Sequence, residues 1–201
     1  MSKWRNPKYL TEIDNVTRYV EFVESSGQPN VVSYSGAVGL MGIKPSTAMG
    51  AGYDVPPLRP AELYDPVKNH NFGREYLSGL LTKYRGNVPD ALLAYSWGGG
   101  NADKWIAGGR TGSIPADKQA YIDGWAGKGH HADEYKKALS GGWKPYLEVN
   151  PSPAKQTPEQ VAEINSLYSE GPTGQGIGAQ QAVTREQAWS KANEFLDQSQ
   201  P

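Results

Sequence analysis

At 201 residues, net charge −1 and 37% hydrophobic content, the chain can bury a core in one domain with an appendage or in two small domains. Its near-neutral charge gives no ground for expecting nucleic acid or an anionic membrane surface as partner. There is no cysteine, which excludes disulfides, thiolate metal sites and a cysteine nucleophile.

No apolar run reaches membrane-spanning length. The stretch MSKWRNPKYL has no apolar segment behind its basic residues, so a secretory signal is not expected. Frequent glycine and proline predict a loop-rich chain of short helices.

In chain order, Thr11 with Asp14 reads as a capping box opening a helix over about residues 12 to 25. Ile13, Val16, Val20 and Val23, with Tyr19 beside them, recur at helical spacing. Glu24 falls just past the edge of that apolar stripe, and Gly27 and Pro29 end the helix. Residues 30 to 44 read as turn and short hairpin-like segments, followed by a helical turn from Pro45-Ser46. Asp65-Pro66 gives an N-cap with proline at the first helical position. Phe72, Tyr76, Leu77, Leu80, Leu81 and Tyr84 form the apolar face of that helix, and Gly73 within it points to close packing.

A third helix spans about Val88 to Trp97 and stops at Gly98-Gly99-Gly100, a helix terminator rather than a phosphate loop because no lysine or flanking strand accompanies it. Shorter helices are expected near 102 to 107, 116 to 124 and 132 to 140. Beyond Trp143 two linkers, proline-rich at 144 to 158 and glycine-rich at 171 to 178, separate helices near 158 to 169 and 185 to 198.

The chemistry concentrates between Glu24 and Ala48. Glu24-Ser25, Pro29, Ser33, Gly36-Ala37, Gly39-Leu40-Met41, Pro45 and Thr47-Ala48 resemble, without gaps, the catalytic motif of the lytic transglycosylases. Asp65-Pro66, Asn71, Gly73 and Tyr76-Leu77 resemble that family's second motif helix, and Ala94-Tyr95 with Gly98 and Gly100 its A-Y-N-A-G-x-G turn. The resemblance covers about residues 8 to 125. It implies a mainly α, lysozyme-like domain there, with a short hairpin-like segment, and leaves 126 to 201 as a C-terminal extension.

The resemblance further implies cleavage of the MurNAc–GlcNAc β-1,4 bond of peptidoglycan, with Glu24 as the single catalytic carboxylate and no cofactor. Glu24 would protonate the glycosidic oxygen. It would then take the proton of the muramic C6 hydroxyl as that oxygen closes onto C1, giving a 1,6-anhydro sugar without consuming water. No second carboxylate is required, unlike in ordinary glycosidases. A general acid must hold its proton near neutral pH, and desolvation against an apolar helix face achieves this. By the same resemblance Tyr95 directs its hydroxyl toward Glu24, and Ser33 bonds the sugar near the cleaved bond. The Gly39-Leu40-Met41 backbone lines the cleft wall, and Asn71 meets the acetamido group or the cleft floor.

Three departures from the pattern stand out. Gly42 stands where the family has glutamine, Lys44 replaces an apolar residue, and Ser96-Trp97 replace Asn-Ala, which would offer the Trp97 indole as a stacking platform. None of the three is expected to touch the acid. A goose-lysozyme-like muramidase is the alternative enzyme, with Asp54, Glu62, Glu75, Asp90 or Asp103 as its second acid. A wall-binding module without turnover is the non-enzymatic alternative.

His130-His131 with Asp133 and Glu134 read as a solvated helix start, and no metal is expected. Without signal or lipobox cysteine, the expected setting is a phage virion acting on the host wall, with a secretion system as runner-up. The C-terminal extension is available to virion or envelope partners.

Overall fold

A computed structural model describes residues 10–129, 132, 133, 136, 140 and 143–151. The expected helices near 158 to 169 and 185 to 198, the glycine-rich linker, His130-His131 and most of 132 to 140 lie outside the described residues; of the proline-rich linker expected at 144 to 158 only 144–151 is described, and it holds a helical turn at Tyr146–Val149.

The fold is mainly α, as the sequence predicts, with no strand among the described residues. Helix α1 runs Leu10–Ser25 and buries Ile13, Val16, Tyr19 and Val20. The capping-box expectation fails: α1 already includes Leu10 and Thr11, and Asp14 is instead ion-paired to Arg74 at 2.7 Å. After α1 the chain makes two antiparallel bridges, Val32 with Val38 and Val38 with Ile43. This is the hairpin-like segment expected at 30 to 44. The short helix α2, Pro45–Gly50, follows.

A 3₁₀ turn at Pro60–Tyr64, which the sequence pattern did not disclose, leads into α3, Pro66–Lys83. Asp65 caps α3 as expected, accepting from the amides of Val67 and Lys68 at 3.0 Å each. Gly73 is packed as closely as its position suggested: a Cβ there would lie 2.5 Å from Met41 Cβ. Helix α4, Val88–Trp97, is capped by Asn87. Ala91, Leu92, Leu93 and Ala94 are fully buried, and α3, α5 and α6 pack against this helix.

The glycine run after α4 does more than terminate it. Gly98, at φ +89°, breaks the path, and α5 begins at once, Gly99–Ala107. Helix α6, Ala116–Trp125, completes the core. The Tyr19 hydroxyl donates to the Tyr121 carbonyl, and the Tyr19 ring meets Tyr121 and Trp125 edge-on at 5.8 and 5.6 Å. These contacts fix α6 against α1. The segment 143–150 returns to α1: Trp143 packs edge-on against Phe22 at 5.2 Å, and a helical turn at Tyr146–Val149 follows it.

Candidate active site

Glu24 sits in the last turn of α1, half-buried, and its carboxyl leans onto the turn 38–43. A Cβ on Gly42 would lie 2.5 Å from Glu24 Oε2 and 2.9 Å from its Cδ, so the carboxyl occupies space that any other residue at 42 would fill. The expectation that Gly42 stays clear of the acid is therefore corrected. Gly42 also has φ +58°, the left-handed region where a Cβ is penalised.

Desolvation lifts the Glu24 carboxyl from 4.5 to about 7. Two groups work against that rise: the Tyr121 hydroxyl, which donates to Glu24 Oε1 at 2.9 Å, and the charge of Lys118. Tyr121 is itself buried, and burial together with the Glu24 charge holds its hydroxyl well above the usual phenol range. It remains a donor throughout the neutral range.

The turn under Glu24 is tied on three sides. From α1, Ser25 Oγ lies 2.8 Å from the Leu40 carbonyl. From α3, Asn69 accepts from the Met41 amide at 2.9 Å and donates to the Val38 and Leu63 carbonyls at 2.8 Å each. From α4, the Tyr95 hydroxyl donates to the Met41 carbonyl at 2.6 Å. Gly39 is required here because a Cβ would lie 2.3 Å from Asn69 Nδ2. A buried asparagine whose oxygen and both N–H donors are engaged fixes the backbone with little freedom to slip.

Several sequence expectations change in detail. Tyr95 bonds the Met41 carbonyl, not Glu24; the tyrosine on the carboxyl is Tyr121. Burial and the Glu24 charge still push the Tyr95 hydroxyl up, which puts it within electrostatic reach of the acid. Asn71 is exposed on α3, whereas Asn69, two residues earlier, holds the turn. Counting from Asp65-Pro66, the motif asparagine falls at Asn69.

Leu40 and Met41 are fully buried, and the Gly39 amide, Leu40 carbonyl and Met41 amide and carbonyl are all engaged within the protein. Ser33 Oγ accepts from the Ala37 amide at 3.0 Å and lies 3.2 Å from Ser35 Oγ. Trp97 is half-buried against the core, Ser96 approaches the Leu93 carbonyl at 3.5 Å, and Lys44 is exposed at the start of α2.

Among the five carboxylates considered for a second acid, Glu62 pairs with Arg59 and Lys68, which hold it down at about 2. Asp90 pairs with Arg110 and Asp103 with Lys83. None of the five is among the groups that shift Glu24. No cluster of three metal-ligating side chains occurs among the described residues, and no helix there is long and apolar enough to cross a membrane.

Residues 12–116 match the family model described as the transglycosylase SLT domain. The chain belongs to this family. Among its relatives, a transglycosylase of Enterobacteria phage PRD1 is 41% identical over 46% of this chain and 31% of its own length. The membrane-bound lytic murein transglycosylase E of Buchnera aphidicola is 41% identical over 38% of this chain and 36% of its own. The chain thus spans about a third of these relatives. A solved structure of an inactive mutant of the lytic transglycosylase Slt from Pseudomonas aeruginosa aligns with 79% of this chain and 26% of that one, at 18% identity and a TM-score of 0.49.

The SLT match contains Glu24, Ser25, Gly42, Asn69 and Tyr95 but ends before Tyr121. Sequence reasoning missed Tyr121 for a related reason: its short helix carries no motif, and its partner lies 97 residues away.

Proposed function

We propose that this SLT domain cleaves the MurNAc–GlcNAc bond of peptidoglycan non-hydrolytically, with Glu24 as both acid and base. The observation carrying this reading is one carboxyl, held at about 7 by burial over Gly42 and bonded by Tyr121. A side chain titrating near the working pH serves both directions of proton transfer. In the first step its proton moves to the glycosidic oxygen as the C1–O bond breaks. In the second the Glu24 carboxylate receives the C6 hydroxyl proton while O6 bonds to C1, which leaves the anhydro ring and restores the acid. Tyr121 anchors Oε1, leaving Oε2, above Gly42, as the oxygen that exchanges the proton.

None of the five further carboxylates is among the groups that shift Glu24, and Glu62, Asp90 and Asp103 are taken up in ion pairs, which supports internal attack over a water-activating hydrolase. The family names of the relatives point the same way. Digestion of purified cell wall should release 1,6-anhydromuropeptides, and Glu24→Gln should abolish them. Reducing-end products would instead indicate a muramidase, and wall binding without release a non-catalytic module.

The setting we propose is a phage particle that opens the host wall locally, supported by the PRD1 relative. Residues 126–201 are the part available to virion or envelope partners. Mass spectrometry of purified virions should detect the chain; its presence in host envelope fractions alone would point to a secretion system.

A further inference from the structure

A recess lies between α1, α3 and the segment 145–148, lined by none of the residues of the turn under Glu24. It encloses about 340 Å³ and is lined by Thr17, Arg18, His70 and Arg74, with Asp14 and Glu148 among its walls. The cations lie deeper than their partners. Arg18 and Arg74 side chains are 28% and 33% exposed, whereas Glu148 and Asp14, paired to them at 2.6 and 2.7 Å, are 46% and 70% exposed. Ion pairs with such solvated carboxylates contribute about 0–1 kcal/mol and exchange readily.

His70 is held from below. Its Nδ1 lies 3.0 Å from Oε2 of Glu21, a fully buried carboxyl whose Oε1 accepts the Tyr146 amide at 2.8 Å. Thr17 supplies the independent sign of a ligand. It is 3% exposed, and its Oγ1 has no hydrogen-bond partner among the described residues. A helical threonine ordinarily satisfies its hydroxyl on the carbonyl four residues back, and an unsatisfied buried hydroxyl costs about 1–3 kcal/mol.

We propose that this recess binds a carboxylate of a short acidic peptide. Guanidinium forks match a carboxylate bidentately, and the Thr17 hydroxyl is a further donor to the same group. In naming the peptides carried by peptidoglycan as the source, the proposal rests on the function proposed above. Thr17 precedes Glu24 by seven residues, about 10 Å along α1, so a strand whose sugars occupy the cleft could place its peptide here.

The test is calorimetric titration of the protein with the tripeptide L-Ala-γ-D-Glu-L-Lys. Binding is expected for the free acid and not for the fully amidated tripeptide. Arg74→Met and the near-isosteric Thr17→Val should each weaken it roughly tenfold or more, while cleavage of peptide-free glycan strands stays unchanged. Thr17→Val should keep the fold intact even if Arg74→Met does not, so loss of binding in that variant cannot be ascribed to unfolding. No binding, binding indifferent to both substitutions, or equal competition by inorganic phosphate would overturn the proposal. Glycan cleavage without tripeptide binding would sink the recess alone. Tripeptide binding without any glycan cleavage would sink the proposed function and leave the recess standing.

Discussion

Gly42 and Glu24 share one volume: the carboxyl of the acid rests where a side chain at 42 would begin. The residue that departs from the family pattern is thus the floor beneath the carboxyl we propose as the acid. Gly42→Ala would place a Cβ 2.5 Å from Oε2 at a left-handed φ. The strain costs about 1 kcal/mol, and the flexible carboxyl gives way first. We expect a loss of kcat on the order of tenfold to a hundredfold with a smaller change in KM, measured as anhydromuropeptide release, and only a modest fall in Tm.

Tyr121 donates to the ionised form of Glu24 more strongly than to the neutral one, so it holds the carboxyl below where burial alone would put it. Tyr121→Phe should therefore raise the Glu24 pKa further. The alkaline limb of the kcat/KM profile, where the acid loses its proton, is expected near pH 7 in the native protein and at higher pH in the variant. A limb that stays in place or moves down would show that Tyr121 does not set it.

The raised Glu24 pKa also carries a stability cost of defined sign. Between 4.5 and about 7 the folded protein keeps a proton that the unfolded chain has released. The Glu24 contribution to stability is thus most favourable below 4.5 and falls as pH rises through this window, by on the order of 3 kcal/mol in total. Glu24→Gln removes the ionisation. Its Tm relative to the native protein should be near parity at pH 4 and clearly higher at pH 8, as measured by calorimetry across that range.

Asn69 and Asn71 make a paired control. Asn69→Ala strands the Met41 amide and takes a donor from the Leu63 and Val38 carbonyls, the latter keeping its bond from the Ile43 amide, which should cost about 3 kcal/mol and reduce activity as the turn loosens. Asn71→Ala, on an exposed position, should stay within about 0.5 kcal/mol. Chemical denaturation of the two variants separates them.

What the sequence disclosed was largely local. Asp65-Pro66 and the six apolar positions behind them announced α3, and Gly73 announced the approach of Met41. Glu24 at the edge of the α1 stripe was enough to expect its desolvation. The hydrogen-bond partners were harder to read because they come from distant elements: Tyr121 reaches Glu24 across 97 residues, and Tyr95 spends its hydroxyl on the Met41 carbonyl 54 residues away. Asp14 looked like a cap because spacing alone cannot reveal Arg74, sixty residues on. The Gly98–Gly100 run showed where α4 stops, but whether a new helix starts there depends on the packing of Ala102 into the core.

The most direct measurement is the titration of the Glu24 side-chain carboxyl carbon by NMR, in protein labelled at glutamate and assigned with Glu24→Gln. Burial over Gly42 requires a midpoint near pH 7, shifting upward in Tyr121→Phe. A midpoint close to 4.5, the value of an ordinary solvated glutamate, would contradict the account.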